Sequence, residues 1–232
     1  MAGTILITGA NRGIGLELAT QYAADRWRVL ACCREPQMAK DLRSICETTS
    51  GRMSLYPLDV TDNERIRELA IQLKGEAIDI LFNNAGIRGS DRQSFGNVDV
   101  EAWIQTLRVN TIAPLKMAEA FVEHVARSRR RIIAIMGSIM GSLSENASGN
   151  QYVYRSSKAA VHMVGRSLAV DLRSRNIITV LFHPGWVKTD MGGASAPVSP
   201  GDSAAGLRQV LACLSQKDSG RFYDYEGNER PW

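Results

Sequence analysis

The chain has 232 residues, of which 44% are hydrophobic and 22% charged, and its formal net charge is +4. That balance excludes wholesale disorder, and the length fits one large α/β domain without demanding two. A charge excess this small, without a concentrated basic stripe, excludes a nucleic-acid surface as the leading reading. Four cysteines with no CxxC, beside three scattered histidines, lack zinc-site spacing, so no metal is expected. No apolar stretch nears the roughly 20 residues that span a bilayer. The opening MAGTILITGA runs at once into a strand without a signal-peptide layout, so no membrane contact and a cytoplasmic location are expected.

In chain order, Thr4–Thr8 predicts a strand, followed by the turn Thr8-Gly9-Ala10-Asn11-Arg12-Gly13-Ile14-Gly15 and a helix over Gly15–Asp25. A second strand, Arg28–Cys33, sends Cys32 and Cys33 to opposite faces as reduced, buried, small hydrophobes. Then come a helix over Gln37–Glu47, a strand over Met53–Leu58 and a helix over Asn63–Lys74 capped by Thr61 or Asp62. The strand Ile78–Phe82 leads to the loop Arg88–Asn97 and a long helical stretch Asp99–Arg127, where Pro114 predicts a kink or break. The basic run Arg127–Arg131 reads as a solvated helix end. Beyond it lie a strand Arg131–Met136, a loop Gly141–Asn150, a helix Val153–Ser174, a strand Ile178–Phe182, a loop Gly192–Asp202, a helix Ser203–Leu214 and a short strand Arg221–Tyr225. Most strand candidates lack polar alternation, as expected when both faces are covered. The repeated strand–helix order predicts an α/β Rossmann-type fold: one doubly wound parallel sheet of about seven strands, helices on both faces, in a single domain over residues 1–232.

Glycine lets a chain turn tightly and approach a ligand, and a helix N-terminus presents unpaired N–H groups suited to a pyrophosphate. Gly9, Gly13 and Gly15 sit between the first strand and the first helix, where that chemistry is wanted. Their TGxxxGxG spacing departs from the common GxGxxG and resembles the short-chain dehydrogenase/reductase family. The other motifs of that family stand in order: Asn83-Asn84-Ala85-Gly86, Asn110, Ser138, Tyr154 with Lys158, and Pro184-Gly185 with Thr189. The resemblance covers nearly the whole chain, and an ordered set of this kind is highly specific.

The resemblance implies a nucleotide site formed by Gly9, Asn11, Arg12, Gly13, Ile14, Gly15, Arg34, Asp59, Val60, Asn84, Ala85, Gly86, Tyr154, Lys158, Pro184, Gly185, Val187 and Thr189. The end of the second strand bears on cofactor choice, because an acid there accepts from a ribose 2′-OH whereas arginine suits a 2′-phosphate. Cys33 occupies the usual acid position, Arg34 follows it, and Arg12 precedes the second motif glycine, so NADP(H) is expected in preference to NAD(H). Glu35 is a rival partner for Arg34. Asp59 is either an adenine contact or a turn residue.

Tyr154 and Lys158 are one helical turn apart and share a face. A free phenol has a pKa of about 10, and an ammonium roughly 5 Å away would lower it by roughly two units at an effective dielectric of about 20. By resemblance, Tyr154 donates the proton to a carbonyl oxygen, Lys158 lowers the phenol's pKa and binds the nicotinamide ribose, Ser138 orients the carbonyl, and Asn110 shapes its helix and supports a proton relay. Ser138 precedes Tyr154 by 16 residues, longer than the usual dozen or so. This stretch, the Gly185–Gly193 run and Trp232 resemble the branch holding the C-factor signalling proteins and the sniffer-type carbonyl reductases. Tyr152 is a decoy without a lysine one turn on, and Ser142 and Ser144 are weaker rivals to Ser138. The expected activity is therefore NADPH-dependent reduction of a small ketone, aldehyde or quinone, with a substrate loop around residues 186–202. A nucleotide-binding signalling protein with little turnover is the alternative. A homodimer or homotetramer is expected from the family's habit.

Overall fold

The computed structural model describes residues 2–232. Its strands are β1 (Thr4–Thr8), β2 (Arg28–Cys33), β3 (Met53–Pro57), β4 (Ile80–Asn83), β5 (Gln93–Ser94), β6 (Asn97–Val98), β7 (Ile132–Met136), β8 (Ile178–His183) and β9 (Phe222–Asp224). The helices are α1 (Gly13–Ala24), α2 (Lys40–Thr48), α3 (Asn63–Gln72), α4 (Val100–Leu107), α5 (Ala113–Ala126), α6 (Tyr152–Asp171) and α7 (Pro200–Cys213).

Seven strands form one parallel sheet in the order β3-β2-β1-β4-β7-β8-β9. Consecutive strand residues face opposite sides, so the apolar runs feed two cores. Ile5, Ile7 and Cys33 join Leu18, Ala19, Leu207 and Leu211 from α1 and α7. Leu6 and Cys32 join Ile66, Phe121, Val161 and Leu168 from α3, α5 and α6. Strand order reverses between β1 and β4, and in such sheets ligands bind beyond the carboxyl ends of the strands at that switch point.

Three expectations need correction. The loop Arg88–Asn97 contains a small antiparallel pair, β5 with β6, too short to leave a period in the sequence. The stretch Gln37–Glu47 is a short 3-10 turn, Pro36–Met38, followed by α2, because Pro36 pre-sets only the first turn. The long helical stretch is interrupted by a wide π turn over Arg108–Ile112, upstream of Pro114, which itself sits in the first turn of α5. The reason is backward reach: the Pro114 ring crowds the carbonyl of Asn110, four residues earlier, and offers it no N–H. Of the two candidate caps for α3, Asp62 acts, accepting from the Glu64 and Arg65 N–H groups at 3.0 Å each.

Candidate active site

β1 and β4 meet at their carboxyl ends. The Thr8 hydroxyl accepts from the N–H groups of Asn84 (3.1 Å) and Ala85 (3.0 Å), and Asn84 Nδ2 donates to the carbonyls of Thr8 (3.0 Å) and Gly9 (3.1 Å). Gly9 and Gly13 have φ of +66° and +53°, the left-handed region that favours glycine. A Cβ on Gly15 would lie 2.2 Å from the Gly9 carbonyl oxygen and 2.5 Å from Asn84 Nδ2. α1 starts here with no side-chain cap and no acid in its first turn, so its leading N–H groups are left for an anion. That cradle fits a dinucleotide pyrophosphate.

At the end of β2, Cys33 is buried, whereas Arg34 is exposed and makes no ion pair among the described residues. Glu35, its rival partner, does not bind it. Arg12 is differently engaged: its Nη1 lies 2.7 Å from Asp190, across from the Gly-rich turn, and a phosphate would have to draw it away from that carboxylate. Asp59 Oδ1 accepts from the Thr61 N–H (2.8 Å) and hydroxyl (2.7 Å), so the turn role is filled whatever else Asp59 touches. Val60 follows it, half-buried. The segment after β8 folds over the glycines. Gly185 has φ +86°, Pro184's carbonyl accepts from Ser203 Oγ at 2.7 Å, Val187 bridges to Val198, and a Cβ on Gly13 would lie 3.1 Å from Thr189 Cγ2.

Ser138 lies just past β7, buried, its Oγ accepting from the Met140 N–H at 3.2 Å. Tyr154 and Lys158 ride on one face of α6. Lys158 Nζ donates to the Met136 carbonyl at 2.7 Å and stands 5.7 Å from the Tyr154 ring centre. The absent side chain of Gly86 leaves room for this group: a Cβ there would lie 3.3 Å from Asn110 Oδ1 and 3.7 Å from Lys158 Nζ. Asn110, in the π turn, has its side chain spent on structure. Its Oδ1 accepts from Ile87 N–H (2.9 Å), and its Nδ2 donates to the Ile87 carbonyl (2.8 Å) and Ser157 Oγ (3.0 Å). A proton relay through Asn110 would therefore have to use its main chain. Tyr152 is half exposed at the start of α6, the Ser142 and Ser144 hydroxyls bond each other, and Ser144 Oγ donates to the Trp232 carbonyl.

The electrostatics run against one expectation. Burial pushes the Tyr154 phenol above its ordinary 10.0, opposed by hydrogen bonding with Ser138 and by the charge of Arg88. Lys158 is not among the opposing charges. Burial lowers its own pKa to about 8, and its ammonium is turned to the Met136 carbonyl. Desolvation, invisible in a four-residue spacing, decides the direction for both groups.

Several neighbours of the site carried no signal in the sequence reading. Gln93, on β5 and buried, accepts from the Tyr154 N–H at 3.2 Å and so caps α6, which has no cap of its own and follows two left-handed residues, Asn150 and Gln151. Trp103 Nε1 donates to Ser156 Oγ at 2.8 Å. Arg88 lies within charge range of Tyr154. These contacts join distant segments, and periodicity cannot find them. His162 was findable, because it continues the face of Tyr154 and Lys158 by one more turn.

Residues 3–198 match the family model for short chain dehydrogenase. The C-signal protein of Myxococcus xanthus is 41% identical over 167 residues, covering 72% of this chain and all of that protein. The structure of the carbonyl reductase Sniffer of D. melanogaster superposes with a TM-score of 0.93 at 32% identity, covering both chains fully. An NADPH-bound carbonyl reductase from chicken fatty liver gives 0.92 at 34% identity, covering all of this chain and 99% of that one. With its glycine turn, its Tyr154–Lys158 helix and these likenesses, the chain belongs to the short chain dehydrogenase/reductase family of oxidoreductases.

Proposed function

We propose that this protein is an NADPH-dependent carbonyl reductase working on small ketones, aldehydes or quinones, with the whole chain acting as one unit and residues 186–202 as the substrate loop. The observation that carries the reading is the convergence of Ser138, Tyr154 and Lys158 at the carboxyl edge of the sheet, beside the uncapped start of α1. The NADPH-bound chicken enzyme and the Sniffer carbonyl reductase support it.

When bound, the dihydronicotinamide supplies the hydride. Ser138 Oγ holds the carbonyl oxygen, and Tyr154 Oη gives that oxygen its proton. Because burial keeps the phenol protonated at neutral pH, Tyr154 is in the state that a reduction needs. From its place against Met136, Lys158 would anchor the nicotinamide ribose, and Asn110 fixes the backbone of Ile87. The loops near the site carry exposed Leu143, Trp186 and Met191, and the start of α6 carries Tyr152, which suits an apolar carbonyl compound.

The test is NADPH oxidation with a panel of activated ketones, quinones and aldehydes. The C-signal likeness favours a second reading, a nucleotide-binding signalling protein. Tight NADPH binding without turnover on any carbonyl would select it. Among the described residues, no helix is long and apolar enough to cross a membrane. The family habit supports a homodimer or homotetramer, which light scattering would read.

Two substitutions test the nucleotide end. Gly15→Ala must displace the Gly9 carbonyl or Asn84, and an overpacking cost of about 1–3 kcal/mol weakens NADPH binding about tenfold or more in a fluorescence titration. Arg34→Ala removes a free guanidinium. The Kd for NADPH is expected to rise about tenfold, the loss of about one charge-assisted bond, with the Kd for NADH unchanged. Equal losses for both nucleotides would contradict a 2′-phosphate contact.

A further inference from the structure

His162 lies four residues past Lys158 on α6 and is buried. Its ring reaches under the turn that carries Ser138, and the Ser138 N–H donates to its Nε2 at 3.3 Å. The chain is shaped around that ring. A Cβ on Gly137 would lie 2.6 Å from Nε2, and one on Gly141 would lie 2.8 Å from Cε1. Phe222 and Trp232 cover it, with ring centres 4.5 Å and 5.5 Å away. The Trp232 carbonyl accepts from Leu143 N–H (3.0 Å) and Ser144 N–H (3.2 Å), which ties this cover to the loop after the serine.

A nitrogen that accepts an N–H must be bare, so the neutral ring carries its hydrogen on Nδ1. Nδ1 is buried and has no partner among the described residues. Burial first, then the charges of Lys158 and His183, lower the pKa of His162 to about 3, which keeps the ring neutral. An aliphatic side chain would fill the space without leaving a buried donor unpaired. The unpaired atom therefore points to a use for the other nitrogen.

We propose that His162 is a positioning residue: its bare Nε2 fixes the main chain of Ser138 and so aims the Ser138 hydroxyl at the carbonyl held beside Tyr154. This rests on the reductase reading above. The test compares His162→Leu and His162→Gln, each alone and combined with Ser138→Ala, in the full chain. His162→Leu is expected to lower kcat about tenfold, equivalent to about 1.4 kcal/mol, with NADPH affinity unchanged. His162→Gln recovers most of it, because its Oε1 can accept near the place of Nε2. In the Ser138→Ala background His162→Leu costs nothing further, since its influence passes through the serine. Additive losses, or a folded His162→Leu protein with unaltered kcat, overturn the proposal.

Two measurements on the protein without substrate separate this from the reductase reading. The 15N spectrum of the imidazole is expected to show Nε2 bare at neutral pH, and hydrogen exchange at the Ser138 amide is expected to speed up about tenfold or more in His162→Leu. A protonated Nε2 or unchanged exchange overturns the anchoring of Ser138. Failure of the wild-type protein to reduce any carbonyl counts instead against the reductase reading, and these two measurements then decide the anchoring alone.

Discussion

Tyr154→Phe is expected to lower kcat for carbonyl reduction by about 10²–10⁴-fold, the span that a positioned general acid contributes, while NADPH binds as before. The substitution removes one oxygen and keeps the ring that lies 5.7 Å from Lys158 Nζ, so packing changes little. What is lost is the proton donor beside Ser138. Burial raises the phenol above 10.0, so reduction should not weaken between pH 6 and 8 for want of a protonated tyrosine. The reverse reaction needs the phenolate, and alcohol oxidation should therefore climb as pH rises toward that range. Steady-state kinetics in both directions check this. A Tyr154→Phe protein that reduces carbonyls at the wild-type rate would remove Tyr154 from the chemistry.

Lys158→Met should act in opposite senses on activity and stability. The lysine is buried and its pKa is lowered from 10.5 to about 8. Between those values the unfolded chain binds more protons than the folded one, so stability rises with pH across that window and is lowest below it. The charged lysine then costs about 3 kcal/mol at neutral pH, by about 1.4 kcal/mol per pKa unit. Methionine removes that cost but also the hydrogen bond to the Met136 carbonyl, worth about 1 kcal/mol. The nucleotide-free variant is expected to be more stable than wild type by about 2 kcal/mol at pH 7, from those two terms. The advantage shrinks as pH approaches 10.5. Activity should fall about 10²-fold or more, the scale of a small misplacement of the reacting groups once the nicotinamide ribose loses its anchor. Urea unfolding at several pH values, paired with kinetics, reads both effects. A Lys158→Met protein less stable than wild type at pH 7 would mean that the ammonium is not desolvated.

How much of this was legible in the chain differs from element to element. The strands were readable within a residue or two, because Ile5 to Ile7 or Ile132 to Ile135 are covered on both faces and leave unbroken apolar runs. The start of α3 was readable from Asp62, since a cap acts over two or three residues. Pro114 announced an irregular helix, but not that the π turn would fall upstream and bring Asn110 to Ile87. The pair β5 and β6 left no trace, yet it delivers Gln93 to the start of α6.

The amino-acid sequence alone determined the family and the parallel sheet and singled out Ser138, Tyr154 and Lys158 as candidates, since apolar runs, glycine turns and one-turn spacings act over a few neighbouring residues. Only the tertiary structure decided what those side chains experience. It set the upward shift of Tyr154, the downward shift of Lys158, the engagement of Arg12 by Asp190 and the hydrogen bond from the Ser138 N–H to His162. Burial and these contacts join segments distant in the chain, and desolvation depends on everything that surrounds a group rather than on its neighbours in sequence.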